Sequence, residues 1–210
     1  MLARGNTSVG YSICVFCASS DSIAPRYFEQ ARELGEEMAR RGHQLVYGGG
    51  QVGLMGAVAR AVHSLGGRVV GVVPRRDDWA EVIYEEADDL IYTATMRERK
   101  AIMEERADAF IALPGGIGTF EELLEIITLR HLGYHQKPIV LLDRYGYYDP
   151  LFQMLERSIA EGFSRPSLRD LYHIATTVKD ALHQVETHVV APAPAPAAGE
   201  QIESTTSPGK

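Results

Sequence analysis

The amino-acid sequence predicts an α/β protein, with a doubly wound and mostly parallel sheet flanked by helices in a single domain. Three observations lead to this fold class. Short runs rich in Val, Ile and Leu alternate along the chain with longer segments of helical periodicity. These runs are mostly continuous, which is typical of strands covered on both faces. Glycine-rich turns follow two of the runs, and a length of 210 residues suits one domain.

The elements follow one another in a regular order. Strands are predicted where the apolar runs lie, at residues 11–16, 44–47, 68–73, 90–92, 109–113, 139–142 and 173–175. Helices are predicted where apolar residues recur at helical spacing, at residues 26–41, 54–65, 96–106, 120–132, 151–160 and 178–189. Gly42 and Gly66 stand at the expected ends of the first two helices. This alternation predicts a Rossmann-like sheet, in which ligands bind at the carboxyl ends of strands near a switch in strand order.

Composition divides the chain into three parts. Residues 1–8 are predicted to be a flexible N-terminus, residues 9–189 the Rossmann-like domain, and residues 190–210 a disordered tail of Ala-Pro repeats and small polar residues. The net charge of −7 argues against non-specific binding of nucleic acid or anionic membranes. No apolar run approaches the roughly 20 residues that span a bilayer, and the N-terminus lacks the apolar region of a secretory signal. We therefore expect a cytoplasmic protein.

Two pairs of residues have the spacing of redox or metal ligands. Cys14 and Cys17 could form a redox pair, but residues three apart in a strand point to opposite faces, so we expect two buried thiols. His131 and His135 have the i, i+4 spacing of a metal pair, but Gly133 interrupts the helix and no third ligand is evident. We therefore predict no metal site.

The most informative motif is the glycine turn, residues 114–122, with the sequence Pro-Gly-Gly-Ile-Gly-Thr-Phe-Glu-Glu. It lies between a predicted strand and a predicted helix, so we expect Thr119 at the N-cap and both glutamates in the first helical turn. Glycines let the backbone approach a ligand, and the free N–H groups and dipole of a helix start favour an anion. A phosphate-binding turn is predicted, with ligand contacts from Gly115, Gly116, Ile117, Gly118 and Thr119.

Two charged side chains point toward apolar surroundings. Glu122 lies toward the apolar side of its helix, whereas Glu121, Glu125 and Thr128 share another face. Complementation of the helix dipole explains one glutamate but not one on the apolar side, so Glu122 is the candidate to activate water or stabilise a developing cation. Arg99 projects onto the apolar side of helix 96–106, where it is costly unless it meets an anion. A structural ion pair is the alternative to a substrate-facing Arg99.

A second glycine cluster, residues 48–53, contains the pattern G-x-G-x-x-G. The acidic residue of an NAD site is missing after the next strand, although Arg75 and Arg76 leave an NADP site as an alternative. We predict that Gly49 and Gly50 form a second backbone surface that a nucleotide approaches; tight packing of helix and sheet is the other explanation. Ser20 follows the first strand and either donates to phosphate or ribose or caps the next helix.

Taken together, these motifs resemble the LONELY GUY family, the cytokinin riboside 5′-monophosphate phosphoribohydrolases, which are often mislabelled lysine decarboxylases. The family pattern P-G-G-x-G-T-x-x-E matches residues 114–122, and M-x-E-R-K matches residues 96–100. The resemblance covers residues 11–181. It implies a cofactor-free homodimer that releases an adenine-type base, plain or N6-prenylated, and ribose 5-phosphate from a nucleoside 5′-monophosphate. It also implies catalytic roles for Arg99 and Glu122, and substrate contacts by Glu81, Lys100, residues 116–122 and Thr128.

The chemistry of the residues agrees with a hydrolase. Cleavage of an N-glycosidic bond builds positive charge on the ribose, and a fixed carboxylate such as Glu122 stabilises it, while Arg99 holds the ribose and phosphate side or assists the departing base. A pyridoxal-dependent decarboxylase would need a Schiff-base lysine in a suitable setting, which the four lysines do not offer. A non-catalytic nucleotide-binding or carrier protein is the alternative from another class, because it would need the glycine turns but not Glu122 and Arg99.

Overall fold

Among the residues that the structure describes, seven strands form one parallel sheet, which confirms the predicted fold class. The computed structural model describes residues 10–75 and 82–189. The strands are β1 (Ser12–Phe16), β2 (Gln44–Tyr47), β3 (Val69–Pro74), β4 (Asp89–Thr93), β5 (Ala109–Ala112), β6 (Ile139–Leu142) and β7 (His173–Ala175). Their order across the sheet is β4-β3-β2-β1-β5-β6-β7. The strand order therefore switches direction between β1 and β5, and the edge beyond their carboxyl ends is the expected place for a ligand.

In the described part of the chain, six α-helices cover the two faces of the sheet. They are α1 (Pro25–Arg40), α2 (Gly53–Ser64), α3 (Met96–Arg106), α4 (Ile117–His131), α5 (Asp149–Ala160) and α6 (Val178–His188), and a short 3-10 helix (Pro166–Leu171) was not predicted. Side chains of α1, α2 and α6 form one buried cluster with one face of the sheet, and side chains of α3 and α4 form another with the opposite face. None of the helices in the described ranges is long and apolar enough to cross a membrane.

The start of α4 differs from the prediction. The helix begins at Ile117 with Gly116 as its N-cap, so Thr119 is the third helical residue and both glutamates fall in the second turn. The Phe120 amide donates to the Gly116 carbonyl at 3.1 Å and closes the first turn earlier than the apolar periodicity suggested. The sequence pattern failed here because a glycine-containing first turn carries few apolar residues that could reveal a helical period.

The two cysteines are buried and free, as predicted. Cys17 belongs to the cluster under α1 and α2, and Cys14 to the cluster under α3 and α4, because alternate strand residues face opposite sides. The predicted flexible N-terminus, residues 1–8, and the predicted tail, residues 190–210, lie outside the described residues.

Candidate active site

A cleft of about 550 Å³ opens at the carboxyl ends of the central strands, where the strand order switches. Both glycine-rich turns and the start of α4 contribute to its wall. Its lining consists of Cys17, Ala18, Ser19, Gly48, Gly49, Gly50, Val52, Met55, Val73, Val82, Ile83, Met96, Arg99, Gly116, Ile117, Gly118, Thr119 and Glu122. The cleft thus combines backbone amides, an apolar wall and a pair of opposite charges.

The N-terminus of α4 supplies the amides. Gly116 caps the helix without any side-chain hydrogen bond, and Ile117, Gly118 and Thr119 form the first turn along the cleft. Uncapped N–H groups and the positive end of a helix dipole together favour an anion. A Cβ atom on Gly115 would overlap the side chain of Thr119, which explains the glycine before the cap. The turn has the chemistry of a phosphate site.

Arg99 and Glu122 form the charged pair of the cleft. The Arg99 Nη1 atom lies 2.8 Å from Glu122 Oε1, and Arg99 Nε donates to the Val72 carbonyl at 3.0 Å. The Arg99 and Glu122 side chains are only 9% and 13% exposed. Gly48 makes this placement possible, because a Cβ atom there would overlap Arg99 Nη2. Arg99 therefore forms a structural ion pair inside the protein and also borders the cleft, while its contact with substrate stays a prediction.

Burial sets the ionisation of Glu122. Loss of solvent raises the pKa of Glu122, while the charge and hydrogen bond of Arg99 oppose that rise. The net direction is upward, so this carboxyl holds a proton more tightly than an ordinary glutamate. A group with a perturbed pKa, a fixed partner and access to a cleft is a candidate for acid, base or electrostatic catalysis.

Lys100 and Glu121 lie beside the cleft rather than in its lining. Lys100 bridges Glu121 and Glu125, with 2.8 Å between Nζ and Glu125 Oε2. Burial alone would lower the pKa of Lys100, but its two carboxylate partners raise it. Lys100 therefore keeps its positive charge, and the two glutamates offset that charge beside the cleft.

The second glycine cluster does not offer a free helix start. At the beginning of α2, the Gly53 amide donates to Asp21 Oδ1 at 2.8 Å, and the Leu54 amide donates to the Ala18 carbonyl at 2.9 Å. A pyrophosphate would have to displace both acceptors, which argues against the dinucleotide interpretation. Arg75 lies over the ring of Tyr92, and Arg76 lies outside the described residues.

Gly49 and Gly50 instead pair with a later segment of the chain and line the cleft. The Tyr84 amide donates to the Gly49 carbonyl and the Gln51 amide to the Val82 carbonyl, both at 2.8 Å. Gly49 has a φ of 74°, a conformation that glycine adopts without strain. This pairing brings Val82 and Ile83 into the cleft wall, and no motif or periodicity predicted either residue.

Ser20 and Thr128, two of the predicted contacts, do not line the cleft. The Ser20 hydroxyl accepts a hydrogen bond from the Ser22 amide, and Ser19 rather than Ser20 borders the cleft. Thr128 donates to the Leu124 carbonyl and lines a separate cavity of about 340 Å³ beside α5. Glu81 lies outside the described residues. The roles assigned to these residues stay predictions.

Other missed lining residues are apolar. Val73 and Met96 follow from the strand-end rule, because each lies at or just after the carboxyl end of a strand, and Met55 lies in the glycine-rich start of α2. Apolar side chains at such places resemble ordinary core residues in a sequence, so periodicity alone does not separate them. Together with Val82 and Ile83, they form the apolar wall of the cleft.

The remaining candidates for metal binding or lysine chemistry make structural hydrogen bonds or lie outside the cleft lining. His135 is buried, with Nε2 3.0 Å from the Ile126 carbonyl and Nδ1 accepting from the Lys137 amide. Within residues 10–75 and 82–189, no group of three or more His, Cys, Asp or Glu side chains could hold a metal ion. No lysine among these residues lines the cleft; Lys137 donates from Nζ to the Glu104 carbonyl.

Comparison with known proteins identifies relatives of this chain. A family model described as "Possible lysine decarboxylase" matches residues 55–185. The chain is 47% identical over 176 residues to "Cytokinin riboside 5′-monophosphate phosphoribohydrolase LOG7" of Arabidopsis thaliana, covering 84% of this chain and 81% of the relative. It is 46% identical over 176 residues to the probable enzyme LOGL2 of Oryza sativa subsp. japonica, covering 84% of this chain and 72% of the relative.

Solved structures share the fold at lower identity. The molybdenum cofactor binding protein from Rippkaea orientalis has a TM-score of 0.67 at 21% identity, covering 87% of this chain and 99% of that one. The Moco carrier protein from Chlamydomonas reinhardtii has a TM-score of 0.65 at 24% identity, covering 85% and 97%. At such identities the likeness concerns the fold alone. The curated relatives are far more similar, and the chain belongs to the LONELY GUY family of cytokinin riboside 5′-monophosphate phosphoribohydrolases.

Proposed function

We propose that this chain hydrolyses the N-glycosidic bond of N6-modified adenosine 5′-monophosphates and releases the free base, a cytokinin, and ribose 5-phosphate. The observation that carries the proposal is the buried Arg99–Glu122 pair, 2.8 Å apart, in the same cleft as the uncapped start of α4. An anion-binding turn and a carboxylate on one cleft match the two ends of such a substrate. The activity named for the curated relatives supports the same reaction.

The roles of Glu122 and Arg99 follow from the positive charge that develops on the ribose during the reaction. As the bond between C1′ and the base breaks, the ribose becomes cationic, and a nearby Glu122 carboxylate stabilises this charge. Once the base has left, water adds its hydroxyl group to C1′, and the proton that the water loses ends on the base nitrogen that was bonded to the sugar. Arg99 orients Glu122 and favours its ionised form, which burial alone would disfavour. Amides of Gly116, Ile117 and Gly118 hold the phosphate, so binding energy remote from the broken bond orients the sugar.

The test is to incubate Glu122→Gln with adenosine 5′-monophosphate and to measure the released base by chromatography. We expect turnover to fall by several orders of magnitude while the nucleotide still binds. Glu125→Gln is the matched control, because it removes the same charge from the same helix, one turn outside the cleft lining. Near wild-type turnover of Glu122→Gln would rule out the assignment.

A carrier protein is the alternative with less support. The carrier structures share only the fold with this chain, whereas the relatives at 43–47% identity carry the names of hydrolases. A carrier would bind adenosine 5′-monophosphate and return it intact. Nucleotide binding without release of base by the wild-type protein would therefore favour the carrier.

The base is proposed to lie against the apolar wall formed by Met55, Val82, Ile83 and Met96. Apolar side chains gain free energy by covering a prenyl group, at about 0.8 kcal/mol for each buried CH₂ group. We therefore expect a higher kcat/KM for isopentenyladenosine 5′-monophosphate than for adenosine 5′-monophosphate. Equal values for the two substrates would show that this wall does not contact the N6 substituent.

The oligomer is proposed to be a homodimer through the surface of α4 and α5. Large apolar side chains are exposed there, among them Leu132, Met154 and Phe163, at 63%, 63% and 84%. Large apolar side chains that are this exposed are common at subunit interfaces. Light scattering after gel filtration should give twice the monomer mass, and Phe163→Ser should shift the protein toward the monomer. A wild-type protein that elutes as a monomer would contradict the proposal.

A further inference from the structure

Three carbonyl groups at the start of the glycine turn accept hydrogen bonds from other parts of the chain. The Tyr148 hydroxyl donates to the Leu113 carbonyl at 2.7 Å, and the Tyr147 hydroxyl donates to the Gly115 carbonyl at 2.6 Å. Between them, the Pro114 carbonyl accepts from the Ala18 amide at 3.2 Å. Three consecutive carbonyls are thus bonded to three partners that are distant in the sequence.

The two tyrosines are themselves fixed by Asp143. The carboxylate of this buried residue accepts the Tyr147 amide at 2.7 Å and the Tyr148 amide at 3.0 Å, one on each oxygen. The Tyr147 ring also stacks on Phe120 of α4, with 6.3 Å between ring centroids. The loop between β6 and α5 therefore forms a rigid support for the turn.

Because of the geometry of the peptide unit, the hydrogen bond to the Gly115 carbonyl also fixes the direction of the Gly116 N–H. A peptide unit is planar, and its C=O and N–H bonds point in opposite directions. The hydroxyl that holds the Gly115 carbonyl therefore also orients the Gly116 N–H, away from Tyr147. Gly116 borders the cleft, whereas Tyr147 does not. Glycine torsions on both sides of this peptide are soft, so an external bond is needed to fix it.

We propose that Tyr147 is a positioning residue for phosphate recognition: its hydroxyl fixes the Gly115–Gly116 peptide so that the Gly116 amide faces the 5′-phosphate. This role rests on the proposed function, because it assigns the phosphate of the nucleotide to the start of α4. Tyr147 itself touches no reacting atom, and its effect is on binding of the phosphate rather than on bond cleavage.

The test is Tyr147→Phe, which removes one oxygen atom and keeps the ring that stacks on Phe120. We expect the KM for adenosine 5′-monophosphate and the calorimetric Kd for ribose 5-phosphate to rise together about tenfold, the effect of weakening one hydrogen bond to a charged group. The kcat should change less than twofold, because an interaction made equally in the ground and transition states affects KM alone. The slow turnover of adenosine, which lacks the phosphate, should be unchanged.

Tyr145→Phe is the matched control, since its ring packs on Tyr27 and lies under Arg26 rather than on the turn. An unchanged Kd for ribose 5-phosphate in Tyr147→Phe, or a parallel loss of adenosine turnover, would overturn the positioning role. The calorimetric measurement does not depend on catalysis. If the wild-type protein binds ribose 5-phosphate but releases no base, the proposed function fails while the role of Tyr147 in phosphate binding is still decided.

Discussion

Gly48→Ala tests whether the Arg99–Glu122 pair depends on the absence of a side chain at position 48, directly after β2. Gly48 follows β2 and does not have a positive φ, so alanine is conformationally acceptable there. The added Cβ would nevertheless overlap Arg99 Nη2 and lie 3.1 Å from Cζ. The guanidinium must then retreat by on the order of 1 Å to restore ordinary contact distances. A shift of that size breaks hydrogen bonds of 2.8 Å to Glu122 and 3.0 Å to the Val72 carbonyl.

The expected magnitude follows from these two bonds. Hydrogen bonds to charged groups contribute about 1.5–3 kcal/mol each, and removal of one partner from a buried ion pair costs about 3–5 kcal/mol. Because Arg99 is displaced rather than removed, we expect the free energy of unfolding to fall by about 2–4 kcal/mol. Turnover should fall on the order of 10²-fold, since a misplaced Arg99 no longer orients the carboxylate of Glu122.

The assay is urea denaturation of a double-mutant cycle between Gly48→Ala and Arg99→Ala. With the guanidinium absent, the new methyl group has room, so Gly48→Ala should cost less than about 1 kcal/mol in that background. Gly118→Ala is the control for stability, because a Cβ there meets no atom within 4 Å. If Gly48→Ala costs the same in both backgrounds, the overlap with Arg99 is not the cause and the reasoning is refuted.

Three further predictions follow from the burial of titratable side chains and from one hydrogen bond. Because burial raises the pKa of Glu122, kcat/KM should decline on acidification with a midpoint above the usual carboxyl range. The folded state holds this proton more tightly than the unfolded chain, so protonation of Glu122 makes the fold more stable as the pH falls through the raised pKa. A loss of rate that coincides with unfolding would therefore contradict the assignment. Asp21→Ala should lower the free energy of unfolding by about 1 kcal/mol, because the Gly53 amide loses its acceptor, and an unchanged urea midpoint would show that this bond contributes nothing. Burial also raises the pKa values of both thiols, so Cys14 and Cys17 should resist alkylation until the protein is denatured; rapid labelling of the native protein, measured by mass spectrometry, would be the contrary result.

Much of the fold could be predicted because its signal is local. The predicted bounds of β2, β6, β7 and α3 agree with the structure to the residue, since each is a continuous apolar run or a periodic segment with clear ends. Arg99 is buried on α3, in agreement with its predicted place on the apolar side of that helix. The start of α4 was misplaced by three residues, because Gly116, Ile117 and Gly118 carry no periodic pattern.

The site was only partly predictable because its chemistry depends on pairs that are far apart in the sequence. Both glycine clusters are helix starts by pattern, and nothing local distinguishes them. In the folded chain, Asp21 occupies the first amide of α2, whereas the start of α4 has no side-chain cap. The need for glycine at position 48 likewise arises from Arg99, which comes from another helix.

The sequence by itself determined the alternation of strands and helices, the parallel sheet and the two residues of the charged pair. These properties follow from side-chain periodicity, which every segment carries within itself. Only the tertiary structure decided which helix start is open to a phosphate, which residues form the apolar wall and how Tyr147 and Asp143 support the glycine turn. The physical reason is that a backbone amide has the same chemistry everywhere, and its availability depends on whichever acceptor the fold brings to it.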